Sequence, residues 1–203
     1  LRFQNFWEES MSLRRFIIIV CLLYPALINA SGFGILMGTA PSKYNCESIT
    51  GQTGLFTCNA PKPHSAFETY AVRASESHGI CWVKGIGKTI SDNGYGTSTK
   101  TKLKELQSIL SKAYGEISDT NDFLIPGALW DEPKEWLMAI KQNQRSYSVS
   151  WKDLQISTKP KLKDIYLGVG AAGSSDGFIS LEYYSKAYDD CKSAIAESES
   201  DAL

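Results

Sequence analysis

The chain has 203 residues, of which 43% are hydrophobic and 11% aromatic, a composition that suits a packed domain and excludes a wholly disordered chain. Its 21 basic and 22 acidic residues nearly cancel, for a formal charge of −1. Without a basic surplus to neutralise phosphates, nucleic acid is excluded as a partner.

Residues 1–10, LRFQNFWEES, contain no methionine and read as an upstream extension ahead of a start at Met11. Residues 11–30 read as a secretory signal peptide: Arg14 and Arg15 supply the positive region, Phe16 to Ile28 the apolar run, and Ile28-Asn29-Ala30 a small-residue cleavage site before Ser31. The run is shorter than the roughly 20 apolar residues of a membrane span, and Pro25 and Asn29 break it. Membrane contact is therefore expected only through this segment before cleavage. Cleavage after Ala30 would remove residues 1–30 with their three arginines, two glutamates and Cys21, taking the formal charge from −1 to −2. The remaining cysteines, Cys46, Cys58, Cys81 and Cys191, are expected to mature in an oxidising periplasmic or secreted space as two disulfides.

Residues 31–196 read as a single α+β domain. The stretch up to Pro63 is rich in Gly, Pro, Ser, Thr and Asn and predicts turns, with a short strand at Leu55 to Cys58. Two runs, Glu68 to Ala74 and Gly79 to Lys84, flank Glu76-Ser77-His78 and predict a hairpin. In Lys100 to Tyr114, Leu103, Leu106, Ile109, Leu110, Ala113 and Tyr114 recur at helical spacing; Ser98 or Thr99 is the expected cap and Gly115 the stop. Asp119 to Asp122 reads as a polar loop, and a short helix is expected to start with Asp131 as cap and Trp136, Leu137 and Ile140 on one face. Tyr147 to Trp151 alternates as a half-buried strand; Ile165 to Val169 and Phe178 to Tyr183 form a further pair. A terminal helix is expected to carry Tyr184, Tyr188, Cys191 and Ile195 on one face, with residues 197–203 as a flexible tail. Strand pairs without regular strand–helix alternation predict an antiparallel sheet of hairpins packed with one main amphipathic helix and shorter ones.

Four cysteines allow three pairings, and sequence alone does not choose among them. A short loop in the turn-rich segment favours Cys46 with Cys58, which leaves Cys81 with Cys191 to pin the terminal helix to the central hairpin.

Motifs for chemistry fail on spacing. Gly85-Ile-Gly87-Lys88-Thr89 resembles the end of a phosphate-binding loop, yet Trp82 stands where the pattern needs its first glycine, so a glycine-rich strand is expected. His64 and His78 have no partners at zinc-ligand spacing. The acidic pairs Asp131-Glu132 and Asp189-Asp190 suit helix starts, and no serine sits in a Gly-x-Ser-x-Gly elbow. No catalytic residue, cofactor or metal is therefore expected. Trp130 and Trp136 are the candidate partner-binding residues, because tryptophan is enriched among interface anchors.

Phe67-Glu-x-Tyr70, Gly79-Ile-Cys81, Tyr114-Gly115, Trp130, Trp136, Arg145, Trp151 and Cys191 together resemble a group of small exported bacterial proteins of unknown function. That resemblance implies a periplasmic or secreted address and no catalytic residues. The opening Gly34-Ile-Leu-Met-Gly38-Thr with Pro41-Ser-Lys is similar to small envelope proteins of the assembly-factor and lactamase-inhibitor type, which bind proteins through an antiparallel sheet; Pro41 and Cys46 interrupt the helix that should follow. The expected function is that of an exported non-catalytic envelope protein that binds another protein or a surface component. An inhibitor or immunity-type protein and a cell-wall or glycan hydrolase are the alternatives.

Overall fold

Nine strands and three α-helices make up most of residues 32–200, the part of the chain that the structure, a computed structural model, describes. The signal-like segment lies outside the described residues, as do residues 201–203. The strands are β1 Glu47–Ser48, β2 Leu55–Thr57, β3 Phe67–Ser75, β4 Gly79–Gly87, β5 Ile90–Ser91, β6 Asp119–Leu124, β7 Arg145–Trp151, β8 Leu162–Ala171 and β9 Asp176–Ser185. The helices are α1 Thr97–Tyr114, α2 Trp136–Lys141 and α3 Tyr188–Ser200. All strand pairs are antiparallel in one sheet of order β1-β2-β3-β4-β9-β8-β7-β6, with β5 beside β9. The expected α+β class with an antiparallel sheet is the observed one.

Alternation divides the sheet into two unlike faces. Tyr70 and Val72 on β3, Val83 on β4, Val149 and Trp151 on β7, Ile165 and Leu167 on β8, and Ile179, Leu181 and Tyr183 on β9 point to one side and form the core. Leu103, Leu106 and Leu110 of α1 close over them, each buried leucine adding about 1.5–3 kcal/mol of transfer free energy. On the same side Trp136, Leu137 and Ile140 of α2 pack against Tyr147, Val169 and Ala171. The N-terminal arm covers the rest of this face: the Phe33 ring sits edge-on to Phe67, Tyr70 and Tyr183. A Cβ at Gly85 would lie 2.5 Å from the Phe33 ring, so the glycines once comparable to a phosphate loop serve close packing. At the β3–β4 turn Gly79 has φ +62°, and a Cβ there would stand 2.7 Å from the backbone of Gly38; glycine meets both the left-handed turn and the approach of the arm.

Both disulfides pair as expected. Cys46–Cys58 ties the arm to the sheet, and Cys81–Cys191 holds α3 at the β3–β4 end. Cys81 occupies the extra position of a bulge, since Arg73 pairs with Trp82 and Ala74 with Ile80.

Several boundaries differ from expectation. Helix α1 starts at Thr97 behind Gly96, and its cap is neither Ser98 nor Thr99. The Asp92 carboxylate, from the preceding turn, accepts the backbone N–H groups of Ser98 at 3.0 Å and Thr99 at 2.7 Å and the Thr99 hydroxyl at 2.8 Å. Partial burial alone would raise the Asp92 pKa, but these donors outweigh it and hold it below the ordinary carboxylate value. A folded value lowered in this way gives stability that is complete above the unfolded pKa, near 4, and is lost as pH falls through the folded value. Asp92→Ala is therefore expected to cost about 1–2 kcal/mol at neutral pH, and urea melts from pH 7 down to 2 should show the difference from the parent closing below pH 4.

The segment expected as a polar loop at Asp119 to Asp122 is strand β6, fully paired with β7 and exposed on its outer edge. Asp131 makes no capping hydrogen bond; α2 is instead preceded by a 3₁₀ turn, Pro133–Glu135. Tyr184 belongs to β9, not to the terminal helix, and α3 continues through Glu197 to Ser200, where a frayed tail was expected.

Candidate functional site

The second face of the sheet carries a different chemistry. Odd positions of β7 point into the core, so Ser148 and Ser150 point away from it; the cross-strand register sets them beside Gly168 and Tyr166 on β8, which are followed by Ser180 and Glu182 on β9. Neither α1 nor α2 packs on this side. Among these larger neighbours the small Ser148 and Ser150 form a recessed floor, and a groove of about 670 Å³ opens above it, within the size range of ligand sites.

The wall towards β4 is a held network. Glu182 is 9% exposed; its Oε2 accepts the Trp82 indole N–H at 3.0 Å and the Tyr184 hydroxyl at 2.5 Å, and its Oε1 pairs with the Lys84 ammonium at 2.9 Å. Burial first, then the hydrogen bond to Glu182 and its negative charge, push the Tyr184 phenol well above its usual pKa. Tyr188, at the start of α3, packs edge-on to Tyr184 and accepts a hydrogen bond from Arg73 at 3.1 Å. These groups are satisfied by one another, which fixes the wall.

The opposite wall belongs to β6 and the turn after β7. Asp119 pairs with Lys152 at 2.9 Å, and Asn121 donates to the Ser146 hydroxyl at 2.7 Å. Asp164 accepts the backbone N–H of Asp153 at 2.8 Å. The hydrogen bond and charge of Asp119 foremost, with Asp164 and Asp153 adding to them, keep the Lys152 ammonium above its ordinary pKa. Tyr166 lies along its strand over Gly168, where a Cβ would sit 2.6 Å from the tyrosine ring. Tyr166 also lines the groove.

The tryptophans singled out in the sequence lie elsewhere. Trp136 is 3% exposed, packed edge-on to Tyr147 with the Lys100 ammonium 4.0 Å above its ring. It is core on the covered face and offers no surface to a partner. Trp130 is half-buried in the loop between β6 and α2, its backbone N–H bonded to Gln144. Neither borders the groove. His64 and His78 stand in turns, and among the described residues no three His, Cys, Asp or Glu side chains are grouped to hold a metal ion. A second crevice of about 310 Å³, between α1 and the N-terminal arm, is mainly apolar.

Tyr166, Asp164 and the serine floor carry no motif, and sequence reasoning missed them as a site. Their signal is the alternation itself: Ser148 and Ser150 between Tyr147, Val149 and Trp151, and Tyr166 and Gly168 between Ile165, Leu167 and Val169, mark one polar face across neighbouring strands. Comparison with family models, curated proteins and solved structures gives no match. Two disulfides are compatible with an oxidising, extracytoplasmic location, and among the described residues no helix is long and apolar enough to cross a membrane.

Proposed function

We propose that this is an exported protein, periplasmic or secreted, that acts by binding a partner of the cell envelope through the open face of its sheet and performs no chemistry there. The signal-like residues 11–30 and the two disulfides support the address. The observation that carries the binding role is the groove: a face left clear by α1 and α2, with a recessed floor, aromatic rings and polar groups on its walls. Catalysis by paired carboxylates is the weaker reading: Glu182 is held by three partners and Asp119 by Lys152, Asp164 accepts the Asp153 N–H, and Asp153 and Asp189 are exposed to water, without the burial that sets a catalytic acid and base apart. An acid or base must exchange its proton with a substrate, and Glu182 and Asp119 are already committed to structure.

The test blocks the groove from two sides. Asn121→Arg places a long side chain at its exposed β6 wall, and Ser150→Trp fills its floor. Capture of the envelope partner by the oxidised domain should be lost in both variants and kept in Lys104→Glu, which alters an exposed position on α1. Capture that survives both groove variants, or is lost equally in the α1 control, overturns the reading. Circular dichroism guards against unfolding, and the exposed Asn121→Arg variant keeps the test decisive if Ser150→Trp does not fold.

A further inference from the structure

We infer that the groove receives an extended basic segment of a protein partner, seating a lysine or arginine side chain over the ring of Tyr166 beside Asp164. This rests on the binding role proposed for the open face and names the chemistry of its ligand.

The charges left after internal pairing set the sign. Lys84 is taken by Glu182 and Lys152 by Asp119. Among the described residues lining the groove, Asp153, Asp164 and Asp189 remain outside any ion pair, against Lys163 alone. An anionic or phosphorylated ligand would meet repulsion here, and a cation attraction. The protein's own Lys152 shows the preference, since its ammonium is stabilised by Asp164 and Asp153 in addition to Asp119.

Tyr166 supplies the seat. Its ring packs over Gly168 and lines the groove, and a cation over an aromatic face is attracted by the ring quadrupole. Cross-strand register places Ser150 and Glu182 on either side of Tyr166, and Asp164 two residues before it on the same face. Aromatic face and carboxylate thus address the same position. A groove of about 670 Å³ is larger than one side chain requires, and its low floor of Ser148 and Ser150 leaves room for main chain to lie across the strands. A neutral glycan would use the ring but gain nothing from the groove's surplus of negative charge, which favours the cation.

The experiment measures binding of a blocked tetra-arginine peptide by calorimetry, beside its tetra-citrulline counterpart, free arginine amide and a neutral chitin oligosaccharide. The arginine peptide is expected to bind at least about tenfold more tightly than the other three. Tyr166→Leu and Asp164→Asn should each weaken it about five- to tenfold, added salt should weaken it further, and Glu105→Gln on α1 should leave it unchanged. Asparagine at 164 keeps the oxygen that accepts the Asp153 N–H, so that variant reads charge and not turn geometry. Equal binding of the citrulline peptide, tighter binding of the oligosaccharide, or arginine-peptide binding that ignores both groove variants overturns the inference. If the arginine peptide fails while Asn121→Arg still abolishes capture of the envelope partner, the cationic ligand falls and the groove reading stands; if capture ignores Asn121→Arg, both fall together.

Discussion

Replacing Cys81 and Cys191 together by alanine is expected to lower the unfolding free energy by about 5 kcal/mol, against about 3 kcal/mol for the Cys46 and Cys58 pair. The order follows from loop length: the first bridge closes a separation of 110 residues, the second one of 12. A crosslink acts mainly by restricting the unfolded chain, and the longer loop restricts it more. The long bridge also carries a local role. Its cysteines are 1% and 0% exposed, and with the Tyr188 contacts to Arg73 and Tyr184 it holds the start of α3 against the sheet. Without it the C-terminal helix should become accessible to protease before the sheet does. Thermal melts under oxidising conditions should record a fall of about 10–20 °C for the long bridge. An equal or larger fall for the short bridge would show that the chain-entropy account does not govern this fold.

The hairpins and α1 are legible in the sequence because local pattern and tertiary environment agree there. In β3, β4 and β9 the inward residues are aromatic or branched, and the leucines of α1 return at helical spacing onto them. The helix start is misread because Asp92 reaches it from five residues upstream of Thr97, through a turn that a fixed cap spacing does not anticipate. Strand β6 is misread for a different reason. Asp119, Asn121 and Asp122 have weak strand propensity, and pairing with β7 and the ion pairs to Lys152 and Arg145 hold the segment extended. Residues at an edge lack the two-sided burial that writes a strand into composition.

The candidate site is less legible than the fold, for a physical reason. A candidate face made of alternate residues on several strands has no contiguous motif, because register brings its members together. Ser150, Tyr166 and Glu182 are 16 residues or more apart in sequence and adjacent across β7, β8 and β9. Tryptophan draws attention first because it is large and often anchors an interface, and here Trp136 proves to be core. Trp136 and Trp151 are buried on the helix-covered side, whereas Trp82, on the open side, is held by Glu182.

Burial therefore predicts how the tryptophans respond to truncation. Trp151 is 0% exposed at the centre of the core, beside Ile165 on β8, and its indole N–H donates to the carbonyl of Gly115 at 2.9 Å. That bond ties β7 to the C-terminal end of α1, just where the helix stops. Trp151→Ala is expected to cost about 3–5 kcal/mol, the transfer term plus the cavity it leaves, and to lower the melting temperature by about 6–20 °C. Trp151→Phe keeps much of the volume and loses the hydrogen bond; because Gly115 is exposed, water can replace the donor and the cost should fall to about 1–2 kcal/mol. Trp136→Ala should resemble Trp151→Ala, since it empties the smaller cluster formed with Leu137 and Ile140. Trp130→Ala, at a half-buried loop position, should cost about 1 kcal/mol or less. Urea melts of the four variants decide the matter: a Trp136→Ala protein as stable as its parent would return that residue to the surface and overturn its assignment to the core.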